Sequence, residues 1–227
     1  MPLTLSSRSV GDVVVVHCAG RIVGGPEVDS LRNCITGLDS DLKQVVLHLG
    51  AVTFIDSSGL GTIVRLLASL RSRDGDLNLC DVPEVVSKVL KLTNLHTLLA
   101  MHPSEAAAIS AFYEKSKPSV VPQSGIRVLC IEPSRDILAY LREVLRRAGY
   151  QALAASNVYD GLILLRAAPP KLLVLGPTMQ MQRAGYTADT FRSAAVGIPV
   201  VELGVDFSMQ DAGEAASQLI ERVRAAG

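Results

Sequence analysis

Tryptophan is absent from this 227-residue sequence, and aromatic residues make up only 4% of it. A packed core must therefore be aliphatic, and hydrophobic residues are plentiful, at 48% of the chain. Such a composition excludes an intrinsically disordered protein. At roughly 100–200 residues per domain, the length allows one large domain or two small ones.

Net charge is also missing, because 22 basic residues balance 22 acidic ones. This balance argues against a protein that binds nucleic acid or an anionic membrane by broad electrostatic attraction. No apolar stretch reaches the roughly 18 residues of a transmembrane helix. The first residues, Met1-Pro2-Leu3-Thr4, lack the basic region of a signal peptide. We therefore expect a cytoplasmic protein with no membrane span.

The sequence has few signs of metal or catalytic chemistry. Its four cysteines are far apart, form no C-x-x-C pair and have no histidine at metal-ligand spacing: Cys18, Cys34, Cys80 and Cys130. P-loop, H-E-x-x-H and G-x-S-x-G motifs are absent as well. We expect reduced, buried thiols, no metal, no cofactor and no enzymatic activity.

A polar segment divides the chain into two halves of similar size. Residues 115 to 125 read K-S-K-P-S-V-V-P-Q-S-G, which is typical of a linker. Each half alternates strand-like with helix-like segments, so we predict two small α/β domains. Their boundaries are set at residues 1–115 and 126–227, with a linker at 116–125.

Apolar runs and helical stripes give a coarse map of both halves. The first half has predicted strands at 13–18, 45–49, 77–80 and 98–101, with helices after Pro26, near Ser58, near Val85 and after Ser104. The second half has predicted strands at 126–131, 151–155, 172–175 and 198–203. Its predicted helices begin after Ser134, at 158, near 188 and near 211, with a loop over 176–187. Consecutive strand–helix–strand units favour parallel pairing.

The most informative segment joins a predicted strand to the helix near Ser58. It reads Phe54-Ile55-Asp56-Ser57-Ser58-Gly59-Leu60-Gly61. Asp56 or Ser57 can accept hydrogen bonds from the free N–H groups at the start of that helix. Two glycines in a first turn weaken a helix, by up to about 1 kcal/mol each relative to alanine. They indicate a close approach, either by packing within the fold or by a partner.

This string and the order of elements around it resemble the STAS-domain anti-sigma-factor antagonists over residues ~3–115. The resemblance implies a mixed sheet with helices and a regulatory phosphorylation site at Ser57. In that family the unphosphorylated antagonist binds an anti-sigma factor that is itself a serine kinase, and the phosphorylated form releases it. A phosphatase, here expected to be of the PP2C type, removes the phosphate and resets the antagonist. Because the antagonist frees a sigma factor when it binds, this cycle regulates transcription.

The same resemblance implies a docking surface around the phosphorylated serine. Its expected members are Asp56, Ser58, Gly59, Leu60 and Gly61, with Arg21 and Gly24 beside them. Ser58 is the competing acceptor, although we expect it to cap the helix. One departure concerns Val23, which stands where the family's best-known members have an acidic residue. This difference predicts another kinase, or the loss of phosphorylation.

The second half, residues ~125–227, resembles a degenerate response-regulator receiver with a truncated, flavodoxin-like parallel sheet. A working receiver needs an acidic pair for Mg²⁺, an acceptor aspartate and a later Thr or Ser. The matching positions here are Glu132-Pro133, Gly176 and Gly204. Glycine has no carboxylate to phosphorylate, and a lone glutamate is a poor Mg²⁺ site. We expect a pseudo-receiver that mediates interaction or homodimerisation.

Two alternatives remain open at this stage. The STAS-like half could be a sensory module that binds a small ligand or nucleotide, with the pseudo-receiver transmitting its state. The chain could also be a scaffold in which the second half drives association and Ser57 is only a helix cap.

Overall fold

The structure is a computed structural model that describes residues 1–37, 43–115, 125–181, 190–191, 193–209 and 212–226. The chain forms two compact units, Met1–Phe112 and Tyr113–Gly227. Apart from Gly125, the predicted linker lies outside the described residues.

Over its described residues, the first unit has a five-stranded sheet and four α-helices. Its strands are β1 (Thr4–Val10), β2 (Val13–Ile22), β3 (Gln44–Ile55), β4 (Asp76–Cys80) and β5 (Ala100–His102), in the order β1-β2-β3-β4-β5. Its helices are α1 (Pro26–Thr36), α2 (Ser57–Arg71), α3 (Glu84–Leu92) and α4 (Glu105–Lys115). β1 pairs antiparallel with β2 and the other pairs are parallel, so the sheet is mixed as predicted.

β1 is a strand that the sequence patterns did not indicate. Its sequence, T-L-S-S-R-S-V, is mostly polar and largely exposed, so it lacks the apolar run of a buried strand. It forms a hairpin with β2, and Gly11 makes the turn with a φ of 61°. Tertiary pairing, rather than local apolar pattern, makes this segment a strand.

The two faces of the first sheet carry different helices, because successive strand residues point to opposite sides. Aliphatic side chains of α1, α2 and α3 form one core with inward residues such as Leu47 and Leu79. On the other face Asn78 of β4 is fully buried, and its Nδ2 donates to the Ala108 carbonyl of α4 at 3.0 Å. The sheet therefore lies between two helical layers.

The second unit is a parallel sheet with helices on both faces. Its strands are β6 (Arg127–Ile131), β7 (Gln151–Ala155), β8 (Leu172–Leu175) and β9 (Val200–Glu202), in the order β7-β6-β8-β9. The helices whose bounds lie in the described residues are α5 (Arg135–Arg147), α6 (Val158–Ala167), α7 (Pro177–Met181) and α8 (Ala212–Ala226), and residues 190–191 and 193–194 are helical too, near the helix predicted at 188. This order matches the first four strands of a flavodoxin-like sheet. In the described part of this unit no fifth strand pairs with β9.

Several local predictions are confirmed and one is wrong. Ser104 and Ser134 accept N–H groups at the starts of α4 and α5, and Gly149 follows α5 with a φ of 88°. The loop predicted over 176–187 is in fact helical at Pro177–Met181, and residues 182–187 lie outside the described residues. Proline at the first helical position explains that start. None of the helices in the described ranges is long and apolar enough to cross a membrane.

Leu47 and Leu92 provide a matched test of the first core, because Leu47 is fully buried and Leu92 is 87% exposed. We expect Leu47→Ala to lower the free energy of unfolding by about 2–5 kcal/mol, since it leaves a cavity among aliphatic neighbours. Leu92→Ala should change it by less than about 0.5 kcal/mol. Urea denaturation measures both, and similar losses for the two variants would contradict this description of the core.

Candidate functional site

The site of the first unit lies where β2 and β3 end side by side. Ile22 and Ile55 are register partners at these ends. β2 continues into the turn of Val23, Gly24 and Gly25, whereas β3 continues through Asp56 directly into α2. Two loops that are distant in sequence therefore meet at one edge of the sheet.

Asp56 is the residue that joins the two loops. Its Oδ1 accepts the N–H of Gly59 at 2.8 Å, which caps α2, and its Oδ2 accepts the N–H of Gly24 at 3.0 Å. The prediction that Asp56 or Ser57 caps the helix is thus confirmed for Asp56. The expectation that Ser58 is the cap is wrong, because α2 already begins at Ser57.

Hydrogen bonding favours the ionised form of this carboxylate. The N–H groups of Gly24 and then Gly59 hold the pKa of Asp56 below its ordinary value, and Arg21 adds a smaller effect in the same direction. Asp56 is therefore a fixed negative charge beside the helix N-terminus, where the macrodipole favours an anion.

Both serines of the motif are exposed at the start of α2. Ser57 is the first helical residue, and its hydroxyl follows directly after the Asp56 cap. A Cβ at Gly24 would stand 3.1 Å from Ser58 Oγ, so the turn after β2 lies against Ser58. Gly24 thus belongs to the same surface as the serines, next to Asp56.

The rest of the motif separates into buried and open positions. Leu60 is only 6% exposed and belongs to the aliphatic core. It was expected on the docking surface, but its side chain packs inside the domain and anchors the start of α2. Gly59 is buried as well, because a Cβ there would stand 2.4 Å from the Ile22 carbonyl oxygen. Gly61 has no atom within 4 Å of an added Cβ and lies open to an approaching surface.

An exposed aromatic residue lies on β3 two residues before Asp56, although the sequence analysis did not single it out. Phe54 is 42% exposed at the end of β3, and the Arg21 guanidinium lies over its ring at 4.9 Å from the centroid. Such cation–π pairs combine apolar area with a positive charge. In a chain with few aromatics, a phenylalanine two residues before Asp56 is the sequence signal that could have revealed it.

In the second unit the three receiver-like positions follow neighbouring strands. Glu132 comes directly after β6, Gly176 directly after β8, and Gly204 two residues after β9. The carboxyl ends of parallel strands are where ligands bind in open α/β sheets. Gly204 is exposed, and an added Cβ there would meet no atom within 4 Å.

The Glu132 side chain occupies the space between the loops that follow β6 and β8. It is fully buried, its Oε1 accepts the N–H of Ser134 at 2.7 Å, and its Oε2 accepts the N–H of Thr178 at 3.0 Å. A Cβ on Gly176 would stand 2.2 Å from Glu132 Oε2. An aspartate therefore cannot occupy position 176 unless Glu132 moves.

Comparison with known proteins assigns the first unit to a family. The profile of the STAS domain matches residues 5–108. A protein of Thermotoga maritima that is described as an anti-sigma factor antagonist is 33% identical over 78 residues, which are 34% of this chain and 69% of that protein. The chain belongs to the STAS-domain family.

Two further relatives resemble this STAS-family chain. BtrV of Bordetella bronchiseptica, also described as an anti-sigma factor antagonist, is 26% identical over 102 residues, which are 44% of this chain and 88% of BtrV. A crystal structure of an anti-sigma factor antagonist from Thermotoga maritima has 26% identity and a TM-score of 0.44, covering 47% of this chain and 92% of the other. The family match ends before the second unit begins.

Gly59 and Gly61 should respond in opposite directions to the same substitution. Gly59→Ala should lower the free energy of unfolding by about 1–3 kcal/mol, because the new methyl group overpacks against β2. Gly61→Ala should raise it by up to about 1 kcal/mol, since alanine is the better helix former and space is available. Thermal and chemical denaturation would detect this, and equal effects would show that Gly59 is not tightly packed.

Proposed function

We propose that the STAS domain of this chain is an anti-sigma-factor antagonist that works by partner switching. Its partner is an anti-sigma factor that is also a serine kinase, and Ser57 is the phosphorylated residue. The antagonist binds the anti-sigma factor when Ser57 is unmodified and thereby frees a sigma factor to direct transcription. The observation that carries the proposal is an exposed Ser57 at the start of α2, beside the anchored carboxylate of Asp56.

The electrostatics support a switch that leaves the fold unchanged. A phosphate adds about −1.5 to −2 charges at neutral pH. The Gly59 N–H is already bonded to Asp56, so the phosphate would lie outward, next to an existing negative charge. A partner that packs against Gly61 and Phe54 would have to desolvate both anions, and like-charge repulsion would weaken its binding.

The contact surface that we propose is smaller than the sequence motif. It comprises residues with accessible atoms around Ser57: Arg21, Gly24, Phe54, Asp56, Ser58 and Gly61. Val23 is partly exposed at the position where the family's best-known members carry an acid. We propose that this change alters which kinase recognises the protein. A PP2C-type phosphatase would remove the phosphate, and the chain itself would have no enzymatic activity.

The test compares wild-type, Ser57→Ala and Ser57→Asp baits in pull-downs from the native lysate. Ser69→Asp is the matched control, because Ser69 is exposed on the same helix but twelve residues further along. We expect wild type, Ser57→Ala and Ser69→Asp to retain a serine-kinase-like anti-sigma factor, identified by mass spectrometry. For the purified pair, Ser57→Asp should raise the Kd at least tenfold.

Two outcomes would refute this proposal. One is the same set of partners on all four baits with no kinase among them, which would favour a sensory or scaffold role. The other is an equal loss of binding by Ser57→Asp and Ser69→Asp, which would mean that any added negative charge on α2 weakens the complex. Melting curves of the free baits establish that all four are folded.

For the second unit we propose a pseudo-receiver, residues 126–227, that cannot be phosphorylated at the acceptor position and mediates association, including homodimerisation. Its support is the parallel sheet order and the buried Glu132, which bonds the loops after β6 and β8. A receiver without an acceptor would not be switched by phosphorylation at that position, which suits a constitutive interaction module.

Glu132→Gln tests whether this carboxylate organises the second unit. A glutamine retains one acceptor oxygen but directs an N–H₂ group at a backbone N–H, so we expect a loss of about 1–3 kcal/mol in the free energy of unfolding. Glu221→Gln, a change of the same kind at an exposed position of α8 beyond its first turn, should change stability by less than about 0.5 kcal/mol. If Glu132→Gln is as stable as wild type, the carboxylate is not the link between the two loops.

A further inference from the structure

A row of metal-binding residue types crosses the sheet of the STAS domain on the face that carries α4. In the strand register His17 pairs with His48, His48 with Cys80, and Cys80 with His102. Paired residues of neighbouring parallel strands lie about 4.8 Å apart and point to the same face. Imidazole and thiolate are the ligands that zinc and similar ions prefer.

The two middle residues of this row and Asp81, which follows Cys80 in the sequence, have side chains that converge on one point. Ligand atoms of His48, Cys80 and Asp81 all lie within 4.8 Å of one another. His48 Nε2 is 3.3 Å from Asp81 Oδ2. His48 Nδ1 accepts the N–H of Gly50 at 3.3 Å, so in the free protein Nε2 carries the imidazole proton and donates it to Asp81. Two ligands that are each about 2.1 Å from a tetrahedral ion stand about 3.4 Å apart, so an ion that replaces this proton requires little change in the separation of the two groups.

Asp81 connects these ligands to an open groove. It follows the last residue of β4 with a φ of 48°, a conformation that is uncommon for residues other than glycine. Its carboxylate side chain is 39% exposed, whereas Cys80 is buried. Asp81 also lines a groove of about 600 Å³ together with Gly50, Met101 and His102.

We propose that His48, Cys80 and Asp81 bind one Zn²⁺ or similar divalent transition-metal ion, with a fourth coordination position toward this groove. The thiolate and the carboxylate supply two negative charges, which match those of the ion. Binding replaces the thiol proton of Cys80, which passes to solvent, and it shifts the imidazole proton of His48 from Nε2 to Nδ1, so the Gly50 N–H gives up its hydrogen bond to Nδ1. The site lies on the α4 face, apart from Ser57, and the proposal does not depend on partner switching.

Cys80 lies at the buried end of the site, and its thiol must lose a proton in order to coordinate an ion. A coordinating thiol is deprotonated by the ion itself. Metal binding should therefore release one proton per ion at neutral pH.

A second set of groups shares His48 but is less suitable. Ligand atoms of His17, His48 and Glu105 also lie within 4.8 Å of one another. There, however, the Arg8 guanidinium forms an ion pair with Glu105, and its NH1 is 2.9 Å from His17 Nε2. A fixed cation already neutralises that side of the row. For this reason we place the ion between His48 and Asp81.

The test is a titration of the reduced, full-length chain with Co²⁺, followed by optical absorption and then by displacement with Zn²⁺. We expect one Co²⁺ per chain and a thiolate-to-cobalt charge-transfer band, because sulfur coordinates the ion. Cys80→Ser should abolish the band, and Asp81→Asn should weaken binding at least tenfold. Cys34→Ser is the matched control, since Cys34 lies on α1 away from the row, and it should bind like wild type.

Three results would overturn the proposal. They are the absence of saturable Co²⁺ binding, a charge-transfer band that persists in Cys80→Ser, and binding that Glu105→Gln removes but Asp81→Asn does not. The last result would place an ion at the other end of the row. Asp81→Asn changes a partly exposed side chain, so it remains informative even if Cys80→Ser fails to fold; circular dichroism establishes which variants are folded.

Discussion

The hydrogen bonds of the Asp56 carboxylate hold together the surface that we propose to be regulatory in the STAS domain. One oxygen fixes the first turn of α2, and the other fixes the turn after β2, which is 32 residues earlier in the chain. The pairing of β2 with β3 brings the two loops together, and this bridge fixes their positions relative to each other. The position of Ser57 follows, because it is the residue between the bridge and the helix. A single side chain therefore sets both the geometry and the local charge of the site.

A similar device appears in the second unit with a different consequence. Glu132 also bridges two backbone N–H groups at the carboxyl ends of parallel strands, but it is fully buried, whereas Asp56 is only partly covered and adjoins exposed hydroxyl groups. A buried, satisfied carboxylate rigidifies its surroundings and leaves no space for a ligand. An accessible one next to a serine leaves space for a charge to be added. The same hydrogen-bonding pattern thus suits the static module that we propose for the second unit and the switch that we propose for the first.

The sequence predicted most helices, the parallel strands and the capping residues, because these depend on local apolar spacing and on side-chain oxygens at helix starts. It failed at β1, whose polar residues become a strand only through pairing with β2. It also treated the motif as one surface, although helical geometry buries Gly59 and Leu60 and exposes Gly61 and Ser57. Spacing along a string of eight residues cannot separate these roles before the direction of the helix relative to β2 is known.

The row of histidines and cysteine also shows that spacing along the sequence cannot reveal every candidate metal site. Spacing rules search for ligands that are close in sequence, and here they correctly find none, since His17, His48, Cys80 and His102 are about thirty, thirty and twenty residues apart. Parallel strands with helical crossovers impose such separations, because each return to the same level of the sheet takes a strand and a helix. Register alone then aligns the four residues. A parallel sheet can therefore assemble a ligand set that no local motif reveals, on the face of the domain opposite the α1–α3 core.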